Sequence, residues 1–136
     1  MAKNLKNADP ALLDASAFIA IVLGEDGADV VEDAVRGGGA CISGINLLES
    51  IAKLQAYDYT PEELRMVTED MQLRVLPFTE HHAFIAAAFY PYIKSHNLSL
   101  GDRACLVVAM AEGYKVLTTD KSWSKLPLDV AIQLIR

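Results

Sequence analysis

Short apolar runs alternate along the chain with longer segments in which apolar residues recur every three or four positions. The short runs predict strands over residues 12–14, 40–43, 74–78, 115–118 and 130–135. The longer segments predict helices over residues 15–23, 28–36, 45–55, 61–71, 80–95 and 100–112. Short apolar strands separated by helices are typical of a parallel sheet that is covered on both faces. We therefore predict an α/β fold, a three-layer α/β/α sandwich with a mostly parallel, five-stranded sheet.

The length and composition of the chain fit one domain with a sizeable core. It has 136 residues, of which 52% are hydrophobic, and a single domain typically holds about 100–200 residues. We predict a loose tail over residues 1–9 and a single domain over residues 10–136. No apolar run approaches the roughly 20 residues that span a membrane, and the N-terminus lacks the apolar region of a secretion signal. The two cysteines fit no disulfide or zinc pattern, so we expect a cytoplasmic protein.

Four acidic residues lie at the ends of predicted strands or within predicted helices. Asp14 and Asp120 lie at the carboxyl ends of two apolar strands, and ligands of parallel sheets bind beyond these ends. Glu49 lies in the helix after the second strand, and Asp102 lies in the first turn of a later helix. If these side chains converge, their oxygens form a site for a hard divalent cation such as Mg²⁺ or Mn²⁺. Such an ion would activate water for hydrolysis of a phosphodiester.

Each of these acids also has a purely structural interpretation, which is the stronger one for any residue considered alone. Asp14 and Asp120 can cap the segments that follow them, and Asp102 can complete a capping box. Glu49 falls away from the apolar stripe of its helix, so a solvated position with an ion pair to Lys53 is its default interpretation. The metal hypothesis therefore depends on the four acids acting together.

The net charge of −6 argues against a broad nucleic-acid-binding surface, which normally carries a basic stripe. Four acids gathered in a metal site would account for most of this excess, so an acidic nuclease needs only local contacts to phosphate. Basic candidates near the acids in sequence are Lys53, Arg103, Lys121 and Lys125. Ser16 and Thr119 are candidates for caps and for hydroxyls that support the acids. No motif for a protein nucleophile is present, and the three histidines do not form a competing metal site.

The segments around the four acids resemble those of the PIN-domain ribonucleases. They are Leu-Leu-Asp-Ala-Ser-Ala-Phe at Asp14, Asn-Leu-Leu-Glu at Glu49, Leu-Ser-Leu-Gly-Asp-Arg-Ala-Cys-Leu at Asp102 and Val-Leu-Thr-Thr-Asp-Lys-Ser-Trp at Asp120. Their order and spacing are most similar to those of the VapC toxins of bacterial toxin–antitoxin pairs, over about residues 11 to 135. An extra polar segment before Pro10 departs from the family pattern but leaves the acidic motif intact.

The resemblance implies a PIN-like sandwich and a metal-dependent ribonuclease. It implies Mg²⁺ or Mn²⁺ as the cofactor, and structured RNA such as tRNA or ribosomal RNA as the substrate cleaved by metal-activated water. It implies that Ser16 and Thr119 lie beside the acids, and that the chain forms homodimers and binds a cognate antitoxin protein. The residues to which it assigns both the catalytic and the metal-binding role are Asp14, Glu49, Asp102 and Asp120.

Two further features of the sequence predict protein partners. The helix predicted over residues 80–95 carries more large aromatic and aliphatic groups than one sheet face needs, which favours self-association, although simple core packing is nearly as good an interpretation. An acidic crevice flanked by the apolar helices 15–23 and 45–55 suits a short, basic, amphipathic segment of an antitoxin.

Two other functions are compatible with the predicted fold. A non-catalytic interaction module could retain the fold, but such a module would be expected to lack some of the acids, and all four are present. A receiver-like phosphoacceptor domain is also a small α/β fold with an acidic pocket. It would need paired acids after the first strand, where this chain has Ala15 and Ser16 after Asp14.

Overall fold

A computed structural model describes residues 9–136, which form a five-stranded sheet with helices on both faces. The strands are β1 (Ala11–Leu13), β2 (Ala40–Ser43), β3 (Arg74–Leu76), β4 (Lys115–Thr118) and β5 (Ile132–Leu134). The α-helices are α1 (Ala15–Leu23), α2 (Ala28–Arg36), α3 (Gly44–Gln55), α4 (Pro61–Asp70), α5 (Glu80–Ile93) and α6 (Leu100–Glu112). Short 3-10 helices follow α5 at Lys94–His96 and follow β4 at Lys121–Lys125.

The strand order is β3-β2-β1-β4-β5, and every neighbouring pair is parallel. The order reverses between β1 and β4, because the chain first builds outward from β1 to β3 and then returns to the other side of β1. At such a reversal the loops after the two strands separate and leave a crevice at the carboxyl edge. Asp14 follows β1 and Asp120 lies two residues beyond β4, so both acids border this crevice.

Alternate residues of the central strands face two different cores, as expected for buried parallel strands. Leu13 and Ile42 pack with Phe18 of α1 in one layer, whereas Leu12 and Cys41 pack against α6 in the other. These side chains are fully buried. The predicted three-layer α/β/α sandwich with a five-stranded parallel sheet is therefore confirmed.

Three elements differ from the prediction by two residues at one of their ends. The strand predicted to reach residue 78 ends at Leu76, directly before Pro77, which has no N–H to donate to a sheet. The helix predicted to reach residue 95 ends at Ile93 and tightens into a 3-10 turn, two residues after Pro91 removes one helical hydrogen bond. The last strand is shorter than residues 130–135.

The predicted tail lies outside the described residues except for Asp9, so the domain division stays a prediction. Within residues 9–136, no helix is both long and apolar enough to cross a membrane.

Candidate functional site

A small polar cleft of about 150 Å³ opens at the carboxyl edge of the sheet, next to the point where the strand order reverses. The four predicted acids come to it from four elements: the end of β1, the middle of α3, the first turn of α6 and the loop after β4. The cleft is lined by Asp14, Ala15, Ser16, Glu49, Lys53, Asp102, Thr119, Asp120 and Trp123.

Asp14 is the most buried of the four acids and is held by three short hydrogen bonds. Its Oδ1 accepts from the Ser16 hydroxyl at 2.6 Å and from the Ala17 amide at 2.9 Å, so it caps α1. Its Oδ2 accepts from the Thr118 hydroxyl at 2.5 Å, across 104 positions of sequence. The capping interpretation of Asp14 is thus correct, and the same carboxylate also lines the cleft.

The ionised form of Asp14 is destabilised by its surroundings. Burial is the largest influence and raises the pKa of the Asp14 carboxyl above its ordinary value. The three hydrogen bonds act in the opposite direction, and the negative charge of Asp102 adds to the increase. A buried carboxylate beside a second acid is a group that a bound cation would stabilise.

The helical pattern alone placed Glu49 on a solvated face, but in the structure its side chain is largely covered. Its side chain is 28% exposed, and its Oε2 lies 3.7 Å from Lys53 Nζ, so the ordinary i,i+4 pair forms at the wall of the cleft. Its Oε1 accepts from Asn46 Nδ2 at 3.4 Å. The carboxylate also packs against the backbone of Gly101, in the first turn of α6.

Asp102 and Asp120 each combine a local capping role with a place in the cleft. Asp102 Oδ2 accepts from the Ser99 amide at 3.0 Å and completes the capping box of α6. Asp120 Oδ1 accepts from the amide and the hydroxyl of Ser122, at 3.0 and 2.6 Å, and begins the 3-10 helix. In both residues the other carboxylate oxygen forms no hydrogen bond within residues 9–136.

The donor set suits a hard cation, because the four acids present only oxygen atoms and one of them is buried. Among the described residues, no three acidic, histidine or cysteine side chains converge closely enough to form a ready metal site. Each carboxylate is instead engaged by its local donors. The carboxylates that line the cleft and could hold an ion belong to Asp14, Glu49, Asp102 and Asp120.

Thr118 and Trp123 are two site residues that the sequence analysis did not identify. Thr118 is fully buried, and its hydroxyl joins the two strand-end acids by donating to Asp14 and accepting from the Asp120 amide at 3.0 Å. Trp123 is 2% exposed and is the single tryptophan of the chain. The expected supporting hydroxyl of Ser16 does contact Asp14. Thr119 contributes its amide, which donates to Ser16 Oγ at 3.0 Å.

The basic candidates occupy different places around the cleft. Lys53 lines it directly, whereas Arg103, Lys121 and Lys125 do not. The Arg103 guanidinium lies over the Tyr90 ring, 5.0 Å from its centre, and within residues 9–136 it forms no ion pair. Lys121 and Lys125 are exposed on the 3-10 helix after β4.

Other features of the described structure are less suited to be an active site. Burial, together with the charges of Asp14 and Asp102, raises the pKa of the Cys105 thiol well above its ordinary value, so this group is not a reactive thiolate. Two larger grooves, of about 400 and 290 Å³, border α4 and are lined mainly by apolar side chains. The smaller cleft is the candidate active site because the four acids line it together.

The sequence model of the PIN domain family matches residues 11–128. Among curated proteins, none has a sequence that matches this chain. The chain is similar to VapBC from Salmonella typhimurium, solved bound to DNA, with 18% identity, a TM-score of 0.72 and coverage of 94% of this chain and 99% of that chain.

Two more solved structures share the fold. A toxin–antitoxin complex from Klebsiella pneumoniae has 19% identity and a TM-score of 0.68, over 93% of this chain and 98% of that chain. FitAcB from Neisseria gonorrhoeae has 23% identity and a TM-score of 0.64, over 90% and 95%. At these identities the likeness establishes the fold. Because the family match spans most of the chain, this protein belongs to the PIN domain family.

Proposed function

We propose that this protein is a metal-dependent endoribonuclease, the toxin of a VapC-type toxin–antitoxin pair, which cleaves structured RNA such as tRNA or ribosomal RNA. One observation carries the proposal: four acids from four separate elements line a single cleft at the carboxyl edge of a PIN-domain sheet. Burial and the charge of Asp102 both raise the pKa of the Asp14 carboxyl, so a cation bound in the cleft would stabilise its ionised form.

Asp14, Glu49, Asp102 and Asp120 would hold Mg²⁺ or Mn²⁺ in this cleft. When bound, such an ion supplies an activated water and neutralises charge on the phosphate oxygens. The protein's own residues prepare the site for it. Ser16 and Thr118 fix the Asp14 carboxylate from two sides, and Lys53 is a mobile positive charge at the wall that can move from Glu49 to a phosphate.

RNA binding would depend on local contacts, because the chain as a whole is acidic. Arg103 follows Asp102 directly in α6, and its guanidinium lies over the ring of Tyr90. Within residues 9–136 no carboxylate pairs with its charge. Guanidinium groups and aromatic rings both stack on unpaired bases, and guanidinium groups also pair with phosphates. Lys121 is one residue beyond Asp120 and is exposed, so it is a second phosphate contact in this proposal.

The antitoxin would bind across the acidic cleft with a basic, amphipathic segment. A groove lies between α4 and the last turn of α1, the helix that begins at the cleft. It is lined by Ile21, Val22, Tyr59, Val67 and Met71. Its apolar lining suits the apolar face of such a segment, and arginine pairs bidentately with carboxylates. In this proposal the antitoxin is the product of the neighbouring gene. Replacing Asp14 and Asp120 together by Asn should weaken the binding of this antitoxin. Undiminished affinity would show that the partner does not contact the acids.

We further propose that the protein is a homodimer. Phe84 and Tyr92 of α5 are 69% and 68% exposed, and Tyr90 is 45% exposed, so these aromatic groups are not taken up by the core. Large exposed aromatic side chains are enriched at protein interfaces. Simple core packing, the other interpretation of these residues, accounts for Ile93 but not for these three side chains.

The proposed function is tested by cleavage of purified tRNA and ribosomal RNA with added Mn²⁺ or Mg²⁺. We compare the wild type with Asp14→Asn and Asp120→Asn, which keep the side-chain shape and remove a hard anionic ligand. Asp33→Asn is a matched control, because Asp33 is an exposed acid of α2 that pairs with Arg36 and does not line the cleft. We expect cleavage by the wild type and the control alone, and none in excess EDTA.

Two results would contradict this account. Cleavage that persists in excess EDTA would exclude the metal-dependent mechanism. A wild type that neither cleaves RNA nor binds the metal, while remaining folded and able to bind its partner, would favour the non-catalytic interaction module. The family match sets aside the receiver-like domain.

A further inference from the structure

Glu49 differs from the other three candidate ligands in how its carboxylate is held. Asp14, Asp102 and Asp120 each accept hydrogen bonds from a backbone amide close in sequence, which fixes them locally. Glu49 has no such bond within residues 9–136, and its longer side chain has more rotatable bonds. Its contacts are with Lys53, with Asn46 and with the backbone of Gly101.

Gly101 provides space that the Glu49 carboxylate fills. A Cβ atom at this position would lie 2.8 Å from Glu49 Oε1, 3.1 Å from Cδ and 3.2 Å from Oε2. The clash would be with the end of a flexible side chain and not with backbone, so the carboxylate would move while the helix stayed in place. Gly101 lies in the first turn of α6, where an alanine fits the helical conformation.

Asn46 is a buried amide that joins the same two helices. It is 1% exposed, and its Oδ1 accepts from the Ser43 hydroxyl at 2.5 Å, which orients the amide. Its Nδ2 donates to the Gly101 carbonyl at 3.0 Å and to Glu49 Oε1 at 3.4 Å. One side chain thus connects α3, which carries Glu49, to the turn of α6 that carries Asp102.

We propose that Gly101 and Asn46 are positioning residues for metal binding, which hold the Glu49 carboxylate against the first turn of α6. Gly101 does so by leaving room for the carboxylate, and Asn46 does so by donating to it and by joining the two helices. This inference rests on the proposed function, because it treats Glu49 as one of the ligands of the metal ion. Residues that orient metal ligands typically change metal affinity by about 10- to 100-fold when replaced.

The test measures Mn²⁺ affinity in the full chain by electron paramagnetic resonance of free Mn²⁺, with quenching of Trp123 fluorescence as a second readout. The variants are Gly101→Ala, Glu49→Gln and the double variant. Gly44→Ala is the matched control, since Gly44 begins α3 and a Cβ there would make only an ordinary contact, 3.8 Å from the Leu76 carbonyl oxygen. Urea unfolding checks that each variant is folded.

We expect Gly101→Ala to weaken Mn²⁺ binding by about 10-fold or more, with a free energy of unfolding no lower than that of the wild type. The control should bind Mn²⁺ as the wild type does. In the Glu49→Gln background, Gly101→Ala should have no further effect, because both changes act on one carboxylate. Asn46→Asp, which removes the donor and keeps the shape, should also weaken binding.

The inference is wrong if Gly101→Ala binds Mn²⁺ as tightly as the wild type, or if it weakens binding equally with and without Glu49. Both results require a wild type that binds Mn²⁺. A wild type that binds no Mn²⁺ overturns the proposed function itself, together with this inference. The two failures are therefore distinguished by the wild-type titration alone.

Discussion

The Thr118 hydroxyl makes the closest connection between the two strand-end acids, and its removal has a predictable effect on stability. Thr118→Val preserves the shape of a fully buried side chain and removes both of its hydrogen bonds. The bond to the ionised Asp14 carboxylate is worth about 1.5–3 kcal/mol. The Asp120 amide, which is only partly buried, loses its partner and adds up to about 1 kcal/mol. We expect a loss of about 2–4 kcal/mol at neutral pH.

This loss should depend on pH, with a sign that follows from the pKa of Asp14. Burial already raises the pKa of the Asp14 carboxyl, and removal of a donor to its ionised form raises this pKa further. A group whose pKa is raised by folding favours the folded state in acid, and this contribution is lost as pH rises through the folded pKa. The deficit of Thr118→Val relative to the wild type should therefore be smallest in acid, near the 0.5–1.5 kcal/mol of roughly one neutral hydrogen bond.

The assay is urea unfolding in EDTA, at neutral pH and at the lowest pH at which both proteins fold. Thr119→Val is the matched control, because Thr119 is the next residue and its hydroxyl forms no hydrogen bond within residues 9–136. This control should change stability by less than about 0.5 kcal/mol. The reasoning is refuted if Thr118→Val lowers the free energy of unfolding no more than Thr119→Val does. It is also refuted if the loss for Thr118→Val is the same at both pH values.

Two further predictions concern the acidic cleft and the exposed aromatic side chains of α5. Mg²⁺ should raise the melting temperature of the wild type, because it binds only the folded state, and should raise that of Asp102→Asn less; equal shifts would place the ion elsewhere. Phe84→Glu should convert a dimer to a monomer in light scattering at micromolar concentration, because it places a charge in an apolar interface. Met66→Glu, at an exposed apolar residue of α4, should leave the mass unchanged. A wild type with monomer mass would count against the dimer.

The fold could be predicted from the sequence because local signals agree with the tertiary arrangement. Thr60 and Ser99 begin their helices with capping boxes, and Gly24 and Gly113 end theirs in the left-handed conformation. Strand β1 is uniformly apolar, as a strand buried on both faces must be. The end of α5 was predicted two residues too late, although Pro91 was a local signal for an earlier end.

The candidate site could be predicted only in part, because its decisive contacts are between distant residues. The sequence places Asp14 and Asp120 in one crevice only on the condition that their strands are neighbours, since the ends of neighbouring parallel strands share one edge of a sheet. Glu49 was ambiguous, because the helical pattern says which side is polar but not that Gly101 of another helix packs against it. Thr118 carried no signal, since a threonine that ends a strand is common and its bond to Asp14 spans 104 positions.

The central claim is that the four acids form one site that hydrolyses RNA, and sequencing of cellular RNA ends tests it most directly. The wild type and Asp14→Asn are expressed to equal levels without the neighbouring gene, and new 5′ ends are mapped in total RNA. The account predicts cleavage concentrated at one or a few positions in structured RNA for the wild type, and none of these ends for Asp14→Asn. The same ends at the same abundance in both proteins would contradict it.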